Sequence, residues 1–261
     1  MPEDDVFHLG LMAELNAAYN ADDAPEIEFY LDVIAQGGGP ALDAGCGPGR
    51  LVRRALQAGL DVEGSDVSAD ILAIARRRCR EAGLEPTLHH QSTARLKLDR
   101  RFRTIVMCGA LGLNGTRADD IAALERVHAH LVPGGEVVFD IEPGWAMPGI
   151  WSLFADWSHL PEPWTTSGAT PVADGDVIET DARTVAVDHS EMAFTREVRC
   201  RLVRGGQTVR TEVHRLVARV YNPHEVLGIL REVGFVAAEF EERPLWGGTP
   251  FHVFRARRPG G

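Results

Sequence analysis

The sequence predicts an α/β protein: a mostly parallel seven-stranded sheet with helices on both faces, and an antiparallel β lid inserted after strand five. Apolar segments of strand length alternate with segments of helical periodicity from residue 41 to residue 141. Beyond them, three runs rich in Val, Thr and Arg follow one another without an intervening helix, at 177–188, 192–204 and 207–220. With 261 residues, 44% of them hydrophobic, the chain can bury one large core.

The first element is helical. Apolar residues recur at helical spacing between residues 6 and 36, first at Phe7, Leu11 and Leu15 and again from Ile27 onward. The run Gly37-Gly38-Gly39-Pro40 ends this pattern. Residues 1–36 are therefore predicted to form an N-terminal helical cap.

The next elements alternate in type, as a parallel sheet with crossover helices requires. We predict strands at 41–44, 62–66, 87–91, 102–108 and 136–141, with helices at 51–58, 69–82 and 118–131. Ser68 is the predicted cap of the second of these helices. Residues 37–142, completed by 221–261, are predicted to form the α/β core.

The segment from 143 to 220 breaks this rhythm. Residues 143–175 are rich in proline and tryptophan and show no clear periodicity, which is typical of a functional loop or lid. Gly205-Gly206 joins the second and third Val/Thr/Arg runs as a hairpin turn. After this insert, Asn222 is predicted to cap a helix, and strands at 235–241 and 251–257 complete the sheet.

The composition argues against several functions. A formal net charge of −11 does not favour nucleic acid binding. The four cysteines form no C-x-x-C pair, so neither a zinc site nor a redox dithiol is indicated, and no metal is expected. No apolar run reaches the roughly 20 residues needed to span a bilayer, and the acidic first residues are unlike a secretory signal. A cytoplasmic protein with free thiols is the expectation.

The strongest candidate site is the segment Asp43-Ala44-Gly45-Cys46-Gly47-Pro48-Gly49, between the first strand and the first core helix. A dinucleotide fingerprint needs G-x-G-x-x-G, but position 50 is Arg50. A carboxylate ahead of the glycines would repel a pyrophosphate, whereas it suits a ligand that carries an ammonium and a sulfonium. The second strand ends in Asp66, whose carboxylate can accept hydrogen bonds from both ribose hydroxyls.

These two motifs, with the sequence Gly64-Ser65-Asp66-Val67-Ser68, resemble class I S-adenosylmethionine-dependent methyltransferases, whose sheet is Rossmann-like. The resemblance covers roughly residues 30–142 and the final helix and strands. It implies S-adenosylmethionine as the cofactor, Asp66 at its ribose and Val67 against its adenine. The residues that it implies for cofactor binding are Tyr19, Asp43, Gly45, Cys46, Gly47, Gly49, Asp66, Val67, Ser92, Thr93 and Cys108.

The chain departs from this family after the third strand. Relatives often carry an Asp there for the adenine amino group, whereas this chain has Ser92, followed by Thr93. A hydroxyl can still accept the amino proton, and the Thr93 N–H can serve a ring nitrogen. In relatives the N-terminal helix often places a tyrosine over the cofactor, for which Tyr19 and Tyr30 are candidates. The partner of the cofactor carboxylate stays unassigned.

The insert resembles lids of small-molecule N- and O-methyltransferases, including those that tailor antibiotics and sugars. The resemblance implies methyl transfer to N or O of a small metabolite and makes a homodimer through the lid a further expectation. A hydroxyl nucleophile needs a general base, and an amine must be neutral. The candidate bases are Glu142, His189, His214 and Tyr221. Two alternatives stay open: a catalytically silent cofactor-binding protein of the same fold, and an NAD(P)-dependent oxidoreductase.

Overall fold

The computed structural model of this chain describes residues 7–19, 24–147, 149–245 and 248–261. The N-terminal segment contains two helices, α1 (Gly10–Tyr19) and α2 (Pro25–Gly37). Proline in the first turn of α2, followed by Glu26 and Glu28, suits a helix N-terminus, where a missing N–H is harmless and negative charge is favourable. The N-terminus of α1 is fixed by two carboxylates, because Gly10 N–H donates to Asp70 and Leu11 N–H to Glu212, both at 2.8 Å.

The core begins with alternating strands and helices, close to the predicted positions. They are β1 (Ala41–Ala44), α3 (Arg50–Gln57), β2 (Val62–Asp66), α4 (Ala69–Glu81), β3 (Thr87–His90), β4 (Phe102–Met107), α5 (Arg117–His130) and β5 (Leu131–Ile141). The strand β5 starts five residues earlier than predicted, because Leu131 already pairs with Phe102 of β4 before the Gly134-Gly135 irregularity.

The insert contains a short helix and four strands. They are α6 (Ile150–Ala155), β6 (Thr165–Pro171), β7 (Val177–Asp188), β8 (Ala193–Arg204) and β9 (Gln207–Arg219). The four strands form a separate antiparallel sheet in the order β6-β7-β8-β9, which we call the lid sheet. The three predicted strands are confirmed, whereas β6 and α6 were not predicted. Both are short, and β6 is mostly exposed, so neither has an apolar periodicity to reveal it.

The chain then returns to the core with α7 (Pro223–Val233), β10 (Val236–Leu245) and β11 (Thr249–Arg257). The main sheet has seven strands in the order β10-β11-β5-β4-β1-β2-β3, and β11 runs antiparallel to both of its neighbours. Since β1 lies between β2 and β4, the direction of winding changes beside β1. Ligands of such sheets bind beyond the carboxyl ends of the strands at this switch point.

Side-chain caps define the starts of α4, α5 and α7. Ser68 Oγ accepts a hydrogen bond from Ile71 N–H at 3.2 Å at the start of α4, and Asn222 Oδ1 accepts from His224 N–H at 2.9 Å at the start of α7. Both caps were predicted from the sequence. Thr116 and Asp119 form a capping box at the start of α5, which the sequence reading missed.

The two faces of the lid sheet differ in chemistry. One face carries ion pairs between neighbouring strands, such as Arg183–Glu197 at 2.6 Å and Arg199–Asp181 at 2.5 Å. On the other face, Ile178 and Cys200 are fully buried against Leu11 of α1. The lid sheet is therefore packed on the N-terminal cap by its apolar face. Among the described helices, none is long and apolar enough to span a membrane.

Candidate active site

A cavity of about 460 Å³ lies beyond the carboxyl ends of β1, β2 and β4, at the switch point of the main sheet. We call it the cofactor cavity. Its walls come from the loop after β1, the end of β2, the segment after β3 and the end of β4. The neighbouring strands β1 and β2 thus bring together the two motifs that the sequence singled out, the glycine loop after β1 and Asp66 at the end of β2.

The glycine loop owes its path to backbone conformations that only glycine adopts freely. Gly45, Gly47 and Gly49 all have positive φ, at +86°, +52° and +76°. A Cβ on Gly45 would also lie 2.6 Å from the Ala110 Cβ, and one on Gly49 would lie 2.9 Å from the Ala75 Cβ. The N–H groups of Gly45 and Cys46 donate to the Ser65 carbonyl, which ties the loop to the end of β2.

Asp43 opens this loop and lines the cavity. Its side chain is 2% exposed, and its Oδ1 has no hydrogen-bond partner among the described residues. Burial raises the pKa of Asp43 to about 7, and the Asp66 charge adds to that rise, while the Arg50 guanidinium opposes it. A buried carboxylate oxygen without a donor is costly, so this position calls for a cationic or hydrogen-bond-donating ligand.

Asp66 ends β2 and faces the same cavity. Its carboxylate accepts hydrogen bonds from Gly47 N–H at 3.0 Å and from Ser68 N–H at 2.9 Å. Burial raises the pKa of Asp66, while these backbone donors oppose the rise. Since a carboxylate offers about four acceptor sites, it keeps capacity for two further donors. Ser68 fills the helix-cap role, which leaves Asp66 for a ligand.

Of the other predicted contacts, Gly45, Cys46, Gly47, Val67, Ser92, Thr93 and Cys108 also line the cavity. Gly49 does not, because it lies against Ala75 of α4. Ser92 makes no cap hydrogen bond to the short 3₁₀ turn that follows it. Burial, together with the Asp140 charge, raises the pKa of the Cys108 thiol well above its ordinary value. Cys108 is therefore a neutral wall residue, not a nucleophile.

Both tyrosine candidates in the N-terminal cap lie outside the cofactor cavity. Tyr19 is 76% exposed at the end of α1, because its side chain lies off the face that packs on the core. Tyr30 is fully buried under α2, where its hydroxyl donates to Asp140. The cap residues that do line the cavity are His8, Asn16 and Ile27, which the sequence reading did not select. They share no motif that could have revealed them.

A second cavity, of about 540 Å³, lies between the main sheet and the lid sheet. We call it the lid cavity. It shares the wall residues Gly109, Leu111 and Leu113 with the cofactor cavity, so the two adjoin after β4. The charged residues that line it are Asp140, Glu142, Glu162, Arg196 and Arg219.

Two carboxylates come from the end of β5. Asp140 is 1% exposed and accepts hydrogen bonds from Tyr30 Oη and from Gly109 N–H, the latter at 3.0 Å. Glu142 is half-buried and makes no hydrogen bond or ion pair with a described residue, and burial raises its pKa. Asp140 was not predicted as a site residue. The sequence does contain a signal for it, because it is an acid within the otherwise apolar strand at 137–141.

The other three candidate bases do not line either cavity. His189 Nε2 lies 2.9 Å from the carbonyl oxygen of Phe154, a residue of α6, and its ring packs against Trp157. These contacts attach α6 to the loop that follows β7. His214 Nε2 lies 3.0 Å from Glu212 Oε2, at the contact between lid sheet and α1. Only Glu142 among the four candidates reaches a cavity in the described part of the chain.

Tyr221 is the third of these candidates, and its position is structural. It is 3% exposed, and its hydroxyl donates to Asp120 Oδ2 at 2.8 Å. Burial and the Asp120 charge raise the pKa of this phenol, so it holds its proton. Asp120 also pairs with the buried Arg219 at 2.7 Å, which anchors the base of the lid sheet to α5.

A sequence comparison assigns a family to the domain that contains the glycine loop and Asp66. Residues 41–135 match the profile of a family described as a methyltransferase domain. The chain contains a methyltransferase domain. The match begins at β1 and ends within β5, so this methyltransferase domain holds both the glycine loop and Asp66.

Two curated relatives extend the match. A dTDP-3-amino-3,6-dideoxy-α-D-glucopyranose N,N-dimethyltransferase of Streptomyces fradiae is 35% identical over 178 residues, 68% of this chain and 56% of the relative. A dTDP-3-amino-3,4,6-trideoxy-α-D-glucopyranose N,N-dimethyltransferase of Streptomyces venezuelae is 34% identical over 179 residues, 68% of this chain and 60% of the relative. The matches thus span little more than half the length of these relatives.

Solved structures share the fold of the methyltransferase domain and of the insert. DesVI of Streptomyces venezuelae superposes with a TM-score of 0.69 at 21% identity, over 94% of this chain and 95% of DesVI. CalS10 of Micromonospora echinaspora, an amino pentose methyltransferase solved with its cofactor bound, gives 0.66 at 20% identity, over 96% and 97%. These findings confirm a methyltransferase domain at residues 41–135 and the predicted fold class. S-adenosylmethionine, the predicted cofactor, is bound in the structure of CalS10.

The residues of the cofactor cavity fit this cofactor. The unsatisfied Asp43 Oδ1 would accept from the ammonium, and the remaining capacity of Asp66 would accept from the ribose hydroxyls. Ser92 and Thr93, which line the same cavity, would meet the adenine. When bound, S-adenosylmethionine supplies an activated methyl group on a sulfonium, which leaves as a neutral thioether.

Proposed function

We propose that this protein transfers methyl groups from S-adenosylmethionine to an amino group of a small molecule that binds in the lid cavity. The observation that carries this proposal is the pair of carboxylates, Asp140 and Glu142, in a cavity that adjoins the cofactor cavity through shared walls. Carboxylates attract an ammonium to this position and can hold the proton that the amine must lose. The names of both curated relatives describe methyl transfer to amino sugars.

The two carboxylates take different roles in this proposal. Asp140 already accepts from Tyr30 and from Gly109 N–H, so it is fixed and orients the wall after β4. Glu142 has no such partner among the described residues, and its pKa is raised by burial, which brings its proton affinity closer to that needed of a base near neutral pH. We therefore assign proton removal from the substrate ammonium to Glu142.

The insert, which includes the lid sheet, completes the site. Residues 143–220 supply one wall of the lid cavity, through Met147, Ile150 and Phe194 among others, and so exclude water from the reacting groups. Alignment of the nucleophile with the methyl group accounts for much of the catalysis in this reaction class, because a bimolecular step becomes an intramolecular one. A homodimer through the lid and a cytoplasmic location stay predictions.

A matched pair of substrates tests this function. We would incubate the protein with S-adenosylmethionine and either dTDP-3-amino-3,6-dideoxyglucose or dTDP-6-deoxyglucose, which carries a hydroxyl where the first carries the amine. The proposal predicts N-methylated product, detected by mass spectrometry, from the amine only. Methylation of the hydroxyl sugar alone would contradict it.

The two alternatives predict other results. A catalytically silent protein would bind S-adenosylhomocysteine in calorimetry and methylate neither sugar. An oxidoreductase would change NADH fluorescence on titration, whereas the carboxylate ahead of the glycine loop predicts no binding of NADH. Glu142→Gln serves as the control in the methylation assay, because it keeps the cofactor cavity intact.

A further inference from the structure

One arginine of the lid sheet differs from all the others. Seven arginines in its strands form ion pairs with carboxylates, namely Arg183, Arg199, Arg201, Arg204, Arg210, Arg215 and Arg219. Arg196, in the middle of β8, forms no ion pair or hydrogen bond with any residue that the structure describes. Within the described chain, every arginine in the strands of the lid sheet except Arg196 thus forms an ion pair with a carboxylate.

The register explains why Arg196 has no partner in the lid sheet. It lies opposite Thr184 of β7 and Leu216 of β9, both of which line the lid cavity with it. Its neighbour Glu197 points to the other face, where it pairs with Arg183 and Arg215. Alternation along the strand therefore separates Arg196 from its neighbour Glu197 and places it at the cavity.

Three acids line the described part of the lid cavity; two of them are held by other groups, and the third is Glu142, to which we assigned proton removal. Glu162 Oε2 accepts from Thr184 N–H at 3.0 Å, and Asp140 is held by Tyr30 and Gly109 at the end of β5. Arg219, the other cation of the cavity, pairs with Asp120 and Glu191. Of the two arginines that line the described part of the cavity, Arg196 is therefore the one that can meet an anion.

We propose that Arg196 binds a phosphate group of the substrate, so that the enzyme acts on amines that also carry phosphate. A guanidinium offers parallel N–H donors that match phosphate oxygens, and such charge-assisted bonds are among the strong ones. The amine end then meets Asp140 and Glu142 while the phosphate end meets the lid sheet. This inference rests on the proposed function, whose relatives are named for sugars linked to dTDP.

Calorimetry with dTDP as the probe tests Arg196 without requiring turnover. Titrations in the presence of S-adenosylhomocysteine would compare the wild type with Arg196→Gln, Arg196→Lys and the control Arg215→Gln, which removes an exposed arginine from the opposite face. Loss of the phosphate contact predicts a rise of about 10- to 100-fold in the dTDP dissociation constant for Arg196→Gln. Arg196→Lys should recover part of the affinity, and Arg215→Gln should match the wild type.

Thymidine and inorganic pyrophosphate separate the nucleoside from the phosphates. The proposal predicts that Arg196→Gln weakens pyrophosphate as it weakens dTDP and leaves thymidine binding unchanged. Absence of dTDP binding to the wild type, equal dTDP binding by wild type and Arg196→Gln, or an equal loss for thymidine would each overturn it. Unchanged melting temperatures would show that the variants are folded.

Kinetics then distinguish this inference from the proposed function. With the dTDP-linked amino sugar, Arg196→Gln should raise KM with little change in kcat, and it should not affect methylation of free 3-amino-3,6-dideoxyglucose. An equal effect on both sugars would refute the role of Arg196 while the methyltransferase activity stands. Absence of methylation by the wild type would refute the proposed function, and the dTDP titration would still decide the anion site.

Discussion

The cofactor cavity and the lid cavity adjoin each other but are built in opposite ways. The first is assembled mostly from short segments that directly follow β1, β2, β3 and β4, so most of its walls lie within a few residues of a strand end. The N-terminal cap, through His8, Asn16 and Ile27, and the first half of α5 complete it. The second draws residues from the ends of β4 and β5, from the insert and from β11, spread over residues 109–251. The contrast shows why short sequence motifs predict the cofactor cavity, whereas the lid cavity depends on packing between segments that are far apart in the sequence.

The two cavities also differ in how their charges are satisfied. The cofactor cavity keeps a buried carboxylate oxygen of Asp43 without a donor among the described residues, which suits a cationic ligand. In the lid cavity, Glu142 and Arg196 have no partner in the described part of the chain, and they carry opposite charges. In our proposal the first site thus binds the cationic cofactor, and the second binds a substrate with two different polar ends. Variants on each side can test this division.

Gly45→Ala should have the largest effect. Its Cβ would collide with the Ala110 Cβ at 2.6 Å in a backbone with φ of +86°, so the loop must move. We expect S-adenosylhomocysteine affinity to fall by roughly 100-fold or more in calorimetry, on the order of 3 kcal/mol.

Gly59→Ala is the matched control for this variant. Gly59 has a φ of +73°, but no atom lies within 4 Å of the place that an alanine Cβ would occupy, so the variant carries the backbone strain without the collision. It should lose about 1 kcal/mol of stability and keep its cofactor affinity. Equal cofactor affinity in both variants would show that the close approach at Gly45 does not shape the cavity.

Glu142→Gln should act on the other cavity alone. Removal of a general base lowers kcat by about 100-fold or more, while S-adenosylhomocysteine affinity should stay at the wild-type value. Because burial raises the pKa of Glu142, wild-type activity should fall as the pH drops below that raised pKa, and the variant should lose this acidic limb. A variant with wild-type kcat and an unchanged pH profile would remove Glu142 from the mechanism.

Asp43 predicts a pH dependence of cofactor affinity. Its pKa of about 7 lies above the ordinary 3.8, so the folded protein without ligand favours the protonated form. Its contribution to stability is therefore present at low pH and lost as the pH rises through about 7. The ammonium group of S-adenosylhomocysteine needs the ionised form of Asp43, so the affinity for this ligand should rise by up to roughly tenfold per pH unit below 7.

Asp43→Asn provides the comparison for that titration. Calorimetry between pH 5.5 and 8, a range of roughly one to two units around the pKa, should show weaker binding and a flatter profile for the variant. A wild-type affinity that does not change over this range would contradict the assigned role of Asp43.

Tyr221→Phe should have the smallest effect. The variant loses the hydroxyl that donates to Asp120 at the base of the lid sheet, at 2.8 Å. We expect about 1 kcal/mol of lost stability in denaturant unfolding and a kcat close to that of the wild type. A fall in kcat as large as that of Glu142→Gln would restore Tyr221 as a candidate base.

Much of the core could be predicted from the sequence because its signals are local. Ser68 and Asn222 mark helix starts by their own side chains, and the glycine loop needs its residue types for backbone reasons. Asp66 was recognisable because the end of β2 fixes where its carboxylate points. Each of these residues shapes a helix start, a loop or a strand end within a few residues of its own position in the sequence.

The substrate side resisted prediction because its residues act through distant partners. His189 and His214 looked like candidate bases, but Phe154 and Glu212 engage them away from the cavities. Tyr19 lay on a helix whose packing face the sequence did not define. The sequence could not distinguish Arg196 from the other arginines of the lid sheet, because only its pairing with Thr184 and Leu216 shows that it faces the lid cavity.

A crystal structure of the protein with S-adenosylhomocysteine tests the central claim most directly. The account predicts the ribose hydroxyls on Asp66, the amino group on Asp43 and the sulfur directed to the wall at Gly109 that both cavities share. A ligand bound away from Gly45 and Asp66, or a sulfur facing away from the lid cavity, would contradict it.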